Sequence, residues 1–164
     1  MKISQITRLA VFCAILYISK VVLEAVPNVE LVSLLIICYS IVFGYEAIVA
    51  ILVFNLCELE QWGMGPWWMS YLYVWPILAI LTCLLKKIFK EDILSWAVFS
   101  GLFGLFFGAM FSIVYIFVDP HYALAYFLSG LIWDVVHCVS NFIIMLLLGK
   151  ILIKALKKIK ELYD

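Results

Sequence analysis

Charged residues are scarce in this chain of 164 residues. They account for 13% of the sequence, while 68% of the residues are apolar. A soluble domain has about 25% charged and roughly 45–50% apolar residues. A soluble fold of this size cannot bury so much apolar surface, and a disordered chain is polar. The composition therefore predicts an all-α integral membrane protein with one domain over residues 1–164, whose first partner is the lipid bilayer.

The chain also lacks any excess of positive charge, since 11 Lys and Arg balance 11 Asp and Glu. A protein that binds nucleic acid needs basic residues to neutralise phosphates, so nucleic acid is not expected as a partner. The five cysteines form no C-x-x-C pair and each lies in a separate apolar run. They are interpreted as buried thiols and not as disulfides or zinc ligands.

Motifs for catalysis and for ATP hydrolysis are missing as well. The only Gly-Lys pair, Gly149-Lys150, is followed by Ile151, so the chain contains no P-loop. Neither G-x-S-x-G nor H-E-x-x-H occurs. We therefore expect no enzymatic activity, no cofactor and no bound metal.

Apolar runs separated by charges, Gly and Pro predict six transmembrane helices. Their approximate ranges are 3–23, 30–43, 46–59, 69–85, 93–118 and a last one from near 122 past 148 into a basic tail. The second and third are short, at about 14 residues each, so a merged helix and five spans are the alternative. The first span has the charged flank of a signal peptide, but its length favours a helix that is retained.

The distribution of basic residues favours six spans. Ten of the 11 lie in three segments, namely Lys2, Arg8, Lys86, Lys87, Lys90, Lys150, Lys154, Lys157, Lys158 and Lys160. Six spans put all three segments on one side, which the positive-inside rule makes cytoplasmic, whereas five spans would divide them. Both termini are therefore expected in the cytoplasm. The opposite ends carry acidic residues, with Lys20 as their only basic residue.

The sixth span contains a polar stripe in apolar surroundings. Asp134, His137 and Asn141 share one face of a helix. Such a stripe turns to the bundle interior or to a watery cavity, and we expect these residues to contact a ligand. The alternatives are hydrogen bonds between helices that fix the bundle, and a metal at Asp134 and His137.

The outer end of the third and fourth spans is rich in aromatic and polar residues. We expect this cluster to bind a flat heterocycle by ring stacking, with a few polar groups fixing its orientation. Its members are Asn55, Glu58, Trp62, Trp67, Trp68, Tyr71 and Trp75. Tyr71 and Trp75 lie four residues apart on one face, with Trp68 one turn outward. The alternative is an aromatic belt at the level of the lipid headgroups.

Small residues line two other helix faces. Ala10 and Ala14 are four residues apart in the first span, and Gly101, Gly104 and Gly108 form a stripe in the fifth. Small side chains allow helix backbones to approach closely. The stripes therefore predict helix contacts, either with a partner or within the chain.

These features together resemble the substrate-binding S component of an energy-coupling factor (ECF) vitamin transporter. The resemblance is carried by six spans in a short chain, both termini inside, Ala10-x-x-x-Ala14 and the polar face of the sixth span. Segments 27–32 and 101–108, and the run from Trp133 to His137 followed by Asn141, resemble a small bacterial branch of that group.

The resemblance implies an S-component-like bundle in a bacterial cell membrane that binds a water-soluble vitamin or precursor at its outer side. It implies assembly with a membrane T component and two ABC-type ATPases, and Ala10 and Ala14 match the family's docking motif for the T component. The loops after the first and third spans would close over the substrate. Pyridoxine-like and hydroxymethylpyrimidine-like heterocycles fit the predicted residues.

Three other functions remain open from the sequence. A stand-alone proton-coupled transporter would use Asp134, Glu58 and His137 to relay protons. A membrane enzyme would use Asp134 and His137 as acid and base or as metal ligands. A purely structural subunit would use Asp134 for assembly alone.

Overall fold

The computed structural model describes residues 3–163, and within that range it contains helices and no strand. Lys2, which was part of the predicted basic flank, lies outside the described residues. The helices run in the order α1 (Ile3–Leu23), α2 (Val32–Phe43), α3 (Glu46–Trp62), α4 (Pro66–Phe89), α5 (Ile93–Leu105), α6 (Phe107–Ile116) and α7 (Pro120–Tyr163).

Four helical segments of residues 3–163 are long and apolar enough to cross a membrane. They are α1, α4, the combined segment Ile93–Ile116 and α7. Helix α2 is apolar but has only 12 residues, and α3 has 17. With 44 residues, α7 is about 66 Å long, more than twice the thickness of a hydrocarbon core. Its basic C-terminal part therefore extends beyond the apolar layer.

Helix α4 begins at Pro66, three residues before the predicted start, so Trp67 and Trp68, which the predicted bounds leave between two helices, lie within the helix. Proline is favoured at the first position of a helix because its missing N–H needs no partner there. Helix α3 continues to Trp62 and ends at Gly63, whose φ of +78° suits glycine. The connection between α3 and α4 is consequently short.

Helix α2 begins at Val32, two residues after the predicted start. Glu30 precedes the helix, and its carboxylate accepts the N–H of Ser33 at 2.8 Å. Carboxylates are favoured at this place because the first turn leaves backbone N–H groups without partners. The acidic residue thus ends the loop and does not belong to the helix.

The fifth predicted span is interrupted at Phe106, whose backbone leaves the helical range at φ −93° and ψ 3°. The N–H of Gly108 turns to Asp134 Oδ1 of α7, at 2.9 Å. A side chain that takes up a freed N–H is one of the identifiable causes of a helix break. The prediction of one continuous helix over 93–118 was therefore wrong in this detail, and the helical segment also ends earlier, at Ile116.

The glycine stripe brings α5 and α6 against α7. A Cβ on Gly104 would lie 2.8 Å from the carbonyl oxygen of His137, and one on Gly101 would lie 3.1 Å from that of Cys138. A Cβ on Gly108 would collide with the Asp134 carboxylate. Contact within the chain, which the sequence left open for this stripe, is therefore confirmed.

Basic side chains tie several helix ends together at one end of the bundle. Arg8 binds Glu46 at 2.6 Å, Lys157 binds Glu91 at 2.6 Å, and the Lys160 ammonium donates to the carbonyl of Val42 at 3.3 Å. The described basic segments thus gather at one end, which we call the basic end. Glu30 and Glu58 lie at the other, which we call the acidic end.

Candidate functional site

A cavity of about 210 Å³ lies at the acidic end, beneath the segment that joins α1 to α2. Its charged and polar lining residues are Lys20, Glu24, Asn28, Glu30 and His137, and its aromatic lining residues are Tyr71, Trp75 and Phe107. Pockets for drug-sized ligands have roughly 300–1,000 Å³. The cavity therefore has the size for a ligand smaller than those, such as a single substituted ring.

One wall of the cavity is a contact between His137 and Glu30. His137 Nε2 lies 3.2 Å from Glu30 Oε1, and the side chain of His137 is 3% exposed. The ring of Phe107 stands edge-on to the imidazole with centroids 4.8 Å apart. His137 Nδ1 has no hydrogen-bond partner among the described residues. The imidazole therefore keeps unused hydrogen-bonding capacity beside the cavity.

The same helix face holds the loop above the cavity. Ser140, three residues after His137, donates its hydroxyl to the carbonyl of Asn28 at 2.9 Å. Asn28 adopts a positive φ of 56°, a conformation that asparagine tolerates better than most residues. Two side chains of α7 thus fix both the turn at Asn28 and the carboxylate of Glu30.

An ion pair lies behind the opposite wall. Lys20 of α1 binds Glu58 of α3, and the carboxylate is fully buried. The Lys20 ammonium lies 5.8 Å from the ring centroid of Trp67 and 5.6 Å from that of Tyr71. A buried carboxylate is costly unless it is paired, and rings add a favourable cation–π term for the lysine. Lys20 therefore links the buried acid to the aromatic wall.

The aromatic wall is one face of α4. Trp67, Tyr71 and Trp75 follow one another at four-residue spacing, and successive ring centroids are 5.5 Å apart. Phe107 continues the wall at 5.4 Å from Trp75. The Trp75 indole N–H is buried and has no acceptor among the described residues. A buried donor without a partner is unfavourable, so this N–H suits a ligand that carries an acceptor.

The charges around the cavity are mostly negative. Glu24 and Glu30 line it and Glu58 lies behind Lys20, while Lys20 and His137 are the basic groups. Even with a protonated imidazole the carboxylates exceed the cations. Such a field disfavours anionic ligands and favours neutral or protonated ones, for which the ring faces add cation–π attraction.

Three predicted site residues, Tyr71, Trp75 and His137, line this cavity. Glu58 and Trp67 lie one layer behind it, in contact with Lys20. Trp62 lies at the end of α3 and is 47% exposed. The contribution of each to ligand binding stays a prediction.

Asn55 and Trp68 are engaged in contacts between α3 and α4. The Asn55 amide donates to the carbonyl of Tyr71 at 3.0 Å, and the Trp68 indole donates to the carbonyl of Asn55 at 2.7 Å. These bonds position Tyr71 from behind. In this conformation both side chains contribute to the support of the aromatic wall.

Asp134 and Asn141 share a face with His137 but are absent from the cavity lining. Asp134 is 4% exposed and is bound to the N–H of Gly108, as expected for hydrogen bonding between helices. Asp134 Oδ2 and Asn141 Nδ2 are buried without a partner among the described residues. Their predicted contact with a ligand is not seen in this cavity and stays a prediction.

Lys20 and Glu30 line the cavity but were not among the predicted site residues. Lys20 is the only basic residue among acidic ones at the acidic end, and this isolation was a usable signal. Glu30 follows Pro27 and Asn28 directly before an apolar run, where a carboxylate has no solubilising neighbours. Phe107 gave no signal, because it lies among other apolar residues.

The predicted docking residues Ala10 and Ala14 are exposed on α1. They line an open groove of about 670 Å³ between α1 and α3, together with Val53 and Cys57. Helices can approach closely over small side chains. The groove is compatible with a partner helix, and docking there stays a prediction.

Comparison with known proteins yields no family: no family model, no curated protein and no solved structure matches the chain. Within residues 3–163, no group of three or more His, Cys, Asp or Glu side chains is placed to hold a metal ion.

Proposed function

We propose that this chain is the substrate-binding S component of an ECF-type transporter in a bacterial cell membrane. The proposal has α1, α2, α3, α4, the α5–α6 segment and α7 as six crossings, with both termini in the cytoplasm. It is supported by the collection of described basic residues at one end and of Glu30 and Glu58 at the other. By the positive-inside rule the basic end faces the cytoplasm, so the cavity opens outward.

The observation that carries the proposal is the cavity at the acidic end, with one aromatic wall, the ion pair of Lys20 with Glu58 and the contact of His137 with Glu30. The ligand that fits is a small nitrogen heterocycle, neutral or protonated, with a hydroxyl or other acceptor. Its ring stacks on Tyr71 or Trp75, a ring N–H or amine donates to Glu30, and its acceptor takes the Trp75 N–H. Pyridoxine-like and hydroxymethylpyrimidine-like compounds meet these requirements.

In the proposal the segment between α1 and α2 moves when the ligand enters. That segment is tied to α7 by the contact of His137 with Glu30 and by the hydrogen bond of Ser140 to Asn28. A ligand that bonds to Glu30 competes with His137 for the same carboxylate. Loop opening and ligand recognition therefore share one residue, and the free imidazole is then available to the ligand.

Binding alone moves nothing across a membrane, and the chain carries no P-loop. In the proposal a membrane T component and two ABC-type ATPases supply the energy. The T component docks on the exposed alanines of α1, Ala10 and Ala14. The groove beside them gives room for a helix of the partner.

Calorimetric titration of the purified chain tests the proposal. We expect one-to-one binding of one member of a panel of vitamins and precursors, without ATP. Glu30→Gln should abolish most of this binding, whereas Glu60→Gln, an exposed carboxylate outside the cavity lining, should leave it intact. A chain that is folded and binds no member of the panel would speak against the proposal.

A stand-alone proton-coupled transporter is the second candidate, because Glu58 and Asp134 are buried carboxylates and His137, one helical turn from Asp134, is buried as well. Ionisable groups inside a membrane bundle are typical of proton relays. Uptake into vesicles that contain this chain alone separates the two functions. Uptake that an uncoupler abolishes would favour the relay, and uptake that needs the ATPases would favour the S component.

A further inference from the structure

A second cavity, of about 220 Å³, lies at the basic end between α2, the α4–α5 turn and α7. Its charged lining residues are Lys90, Glu91, Lys150, Lys154 and Lys157. Three isoleucines form its apolar part, one each from α2, α5 and α7: Ile41, Ile93 and Ile153. The cavity therefore combines a basic rim with an apolar floor.

The rim carries an excess of positive charge. Lys157 is bound to Glu91 at 2.6 Å, while Lys90, Lys150 and Lys154 have no ion-pair partner within residues 3–163. The hydrogen bond and charge of Lys157, with a smaller contribution from Lys150, lower the pKa of the Glu91 carboxyl. Glu91, the single acid of the rim, is thus ionised and paired with Lys157. The ammonium groups of Lys90, Lys150 and Lys154 lack a counter-charge among the described residues.

The arrangement holds like charges together. Lys150 and Lys154 lie four residues apart on α7, where equal charges repel. Gly149 of α7 leaves room for the side chain of Ile93 from α5, since a Cβ at Gly149 would lie 2.7 Å from Ile93 Cδ1. A bound anion would remove the repulsion.

The surroundings indicate which anion this is. Leu94 is 54% exposed and Ile151 is 68% exposed, and both lie next to lining residues in the sequence. Exposed apolar side chains beside the cavity contact lipid when the long helices lie in a bilayer. Basic pockets between membrane helices on the cytoplasmic side bind the headgroups of anionic lipids. A phosphate in the rim with its acyl chains along the isoleucines would satisfy both parts of the cavity.

We propose that the cavity at the basic end binds the phosphate of an anionic phospholipid from the adjacent leaflet, with Lys90, Lys150 and Lys154 around the headgroup and Ile93 and Ile153 against the glycerol and acyl chains. Lys157 stays with Glu91 and closes one side. The site is independent of the vitamin-binding function and lies at the opposite end of the bundle. It gives the α4–α5 turn and α7 a common lipid partner.

Native mass spectrometry in a neutral detergent tests this site, with phosphatidylglycerol, with phosphatidylcholine of the same acyl chains, and with glycerol phosphate. We expect bound phosphatidylglycerol, little phosphatidylcholine and no retention of glycerol phosphate. In Lys150→Gln/Lys154→Gln the affinity for phosphatidylglycerol should fall by about fivefold for each lysine removed. Lys150→Arg/Lys154→Arg should retain it.

The matched control is Lys87→Gln/Lys158→Gln, which removes the same charge at the same end from residues outside the cavity lining. It should leave the affinity unchanged. Equal binding of the two lipids, or an equal loss in both double glutamine variants, would overturn the proposal, since the basic end would then attract lipids only by its overall charge. Retention of glycerol phosphate as tight as that of the lipid would overturn the assignment to a phospholipid.

Discussion

The two ends of the molecule use charge in different ways. At the acidic end Glu58 is fully buried and the side chain of His137 is 3% exposed, and each has one partner across the bundle. At the basic end the side chains of Lys157 and Glu91 are 48% and 84% exposed. Exposed ion pairs contribute little to stability, whereas loss of one partner of a buried pair is costly. The comparison teaches that each pair beside the acidic-end cavity buries at least one partner, whereas at the basic end Lys157 and Glu91 stay exposed and Arg8, whose side chain is 9% exposed, is the buried charge, paired with Glu46.

Among the variants considered, Lys20→Met should cause the largest loss of stability. Lys20→Met leaves Glu58 buried without its ammonium, and we expect the free energy of unfolding to fall by about 3 kcal/mol, the low end for a broken buried pair, because Lys20 is partly exposed. Chemical denaturation in detergent measures this. The double variant Lys20→Met/Glu58→Leu should recover most of the loss, and failure to recover it would show that the lysine acts on something other than Glu58.

Neutralisation of Glu30 should come next and should act on ligand affinity. Glu30→Gln keeps the size of the side chain but removes the charge that would accept a ligand N–H. A hydrogen bond to a charged group is worth about 1.5–3 kcal/mol, or roughly 10- to 150-fold in affinity. Calorimetry measures the change. Equal affinity in Glu30→Gln and in the wild type would remove Glu30 from the site.

Substitution of Gly104 tests the close contact between α5 and α7 at the backbone of His137. Gly104→Ala puts a methyl group 2.8 Å from the carbonyl oxygen of His137, and overpacking of this kind costs about 1–3 kcal/mol. Gly130→Ala is the matched control, because a Cβ there meets nothing within 4 Å. Thermal unfolding of both variants measures the difference, and Gly104→Ala should have the lower melting temperature. Comparable melting temperatures would mean that α5 and α7 are not in close contact.

The pair of Lys157 and Glu91 should show the smallest effect. The Lys157 ammonium lowers the pKa of the Glu91 carboxyl in the folded protein, so the pair contributes stability above the ordinary pKa of a glutamate and loses it as the pH falls through the lowered value. Glu91→Gln should remove this slight dependence on acid pH, which unfolding curves at neutral and acid pH measure. A large loss of stability at neutral pH would contradict the contrast between the ends.

Local patterns predicted much of the fold. The bounds of α1 and the starts of α3 and α5 follow from runs of apolar residues and from the charges that flank them. The break at Phe106 had no such signal, because its cause is Asp134, which reaches Gly108 from a distant part of the chain. A continuous apolar run contains no information about a bond of this kind.

The candidate site also combines residues that local patterns predict with residues whose role depends on distant partners. Tyr71, Trp75 and His137 were predicted because helical spacing places like residues on one face. Lys20 and Glu30 were not, because their importance depends on Glu58 and His137, which follow 38 and 107 residues later. Pairing over such distances is a property of the packed bundle, and a single sequence carries no periodic signal for it.

The most direct test of the central claim is native mass spectrometry of the purified chain and of Glu30→Gln, each titrated with the same panel of small heterocycles. The account predicts one bound heterocycle per chain in the wild type and its loss or marked weakening in the variant. A folded wild-type chain that retains no heterocycle, or a variant that retains it equally well, would contradict the claim that the cavity at the acidic end is the binding site.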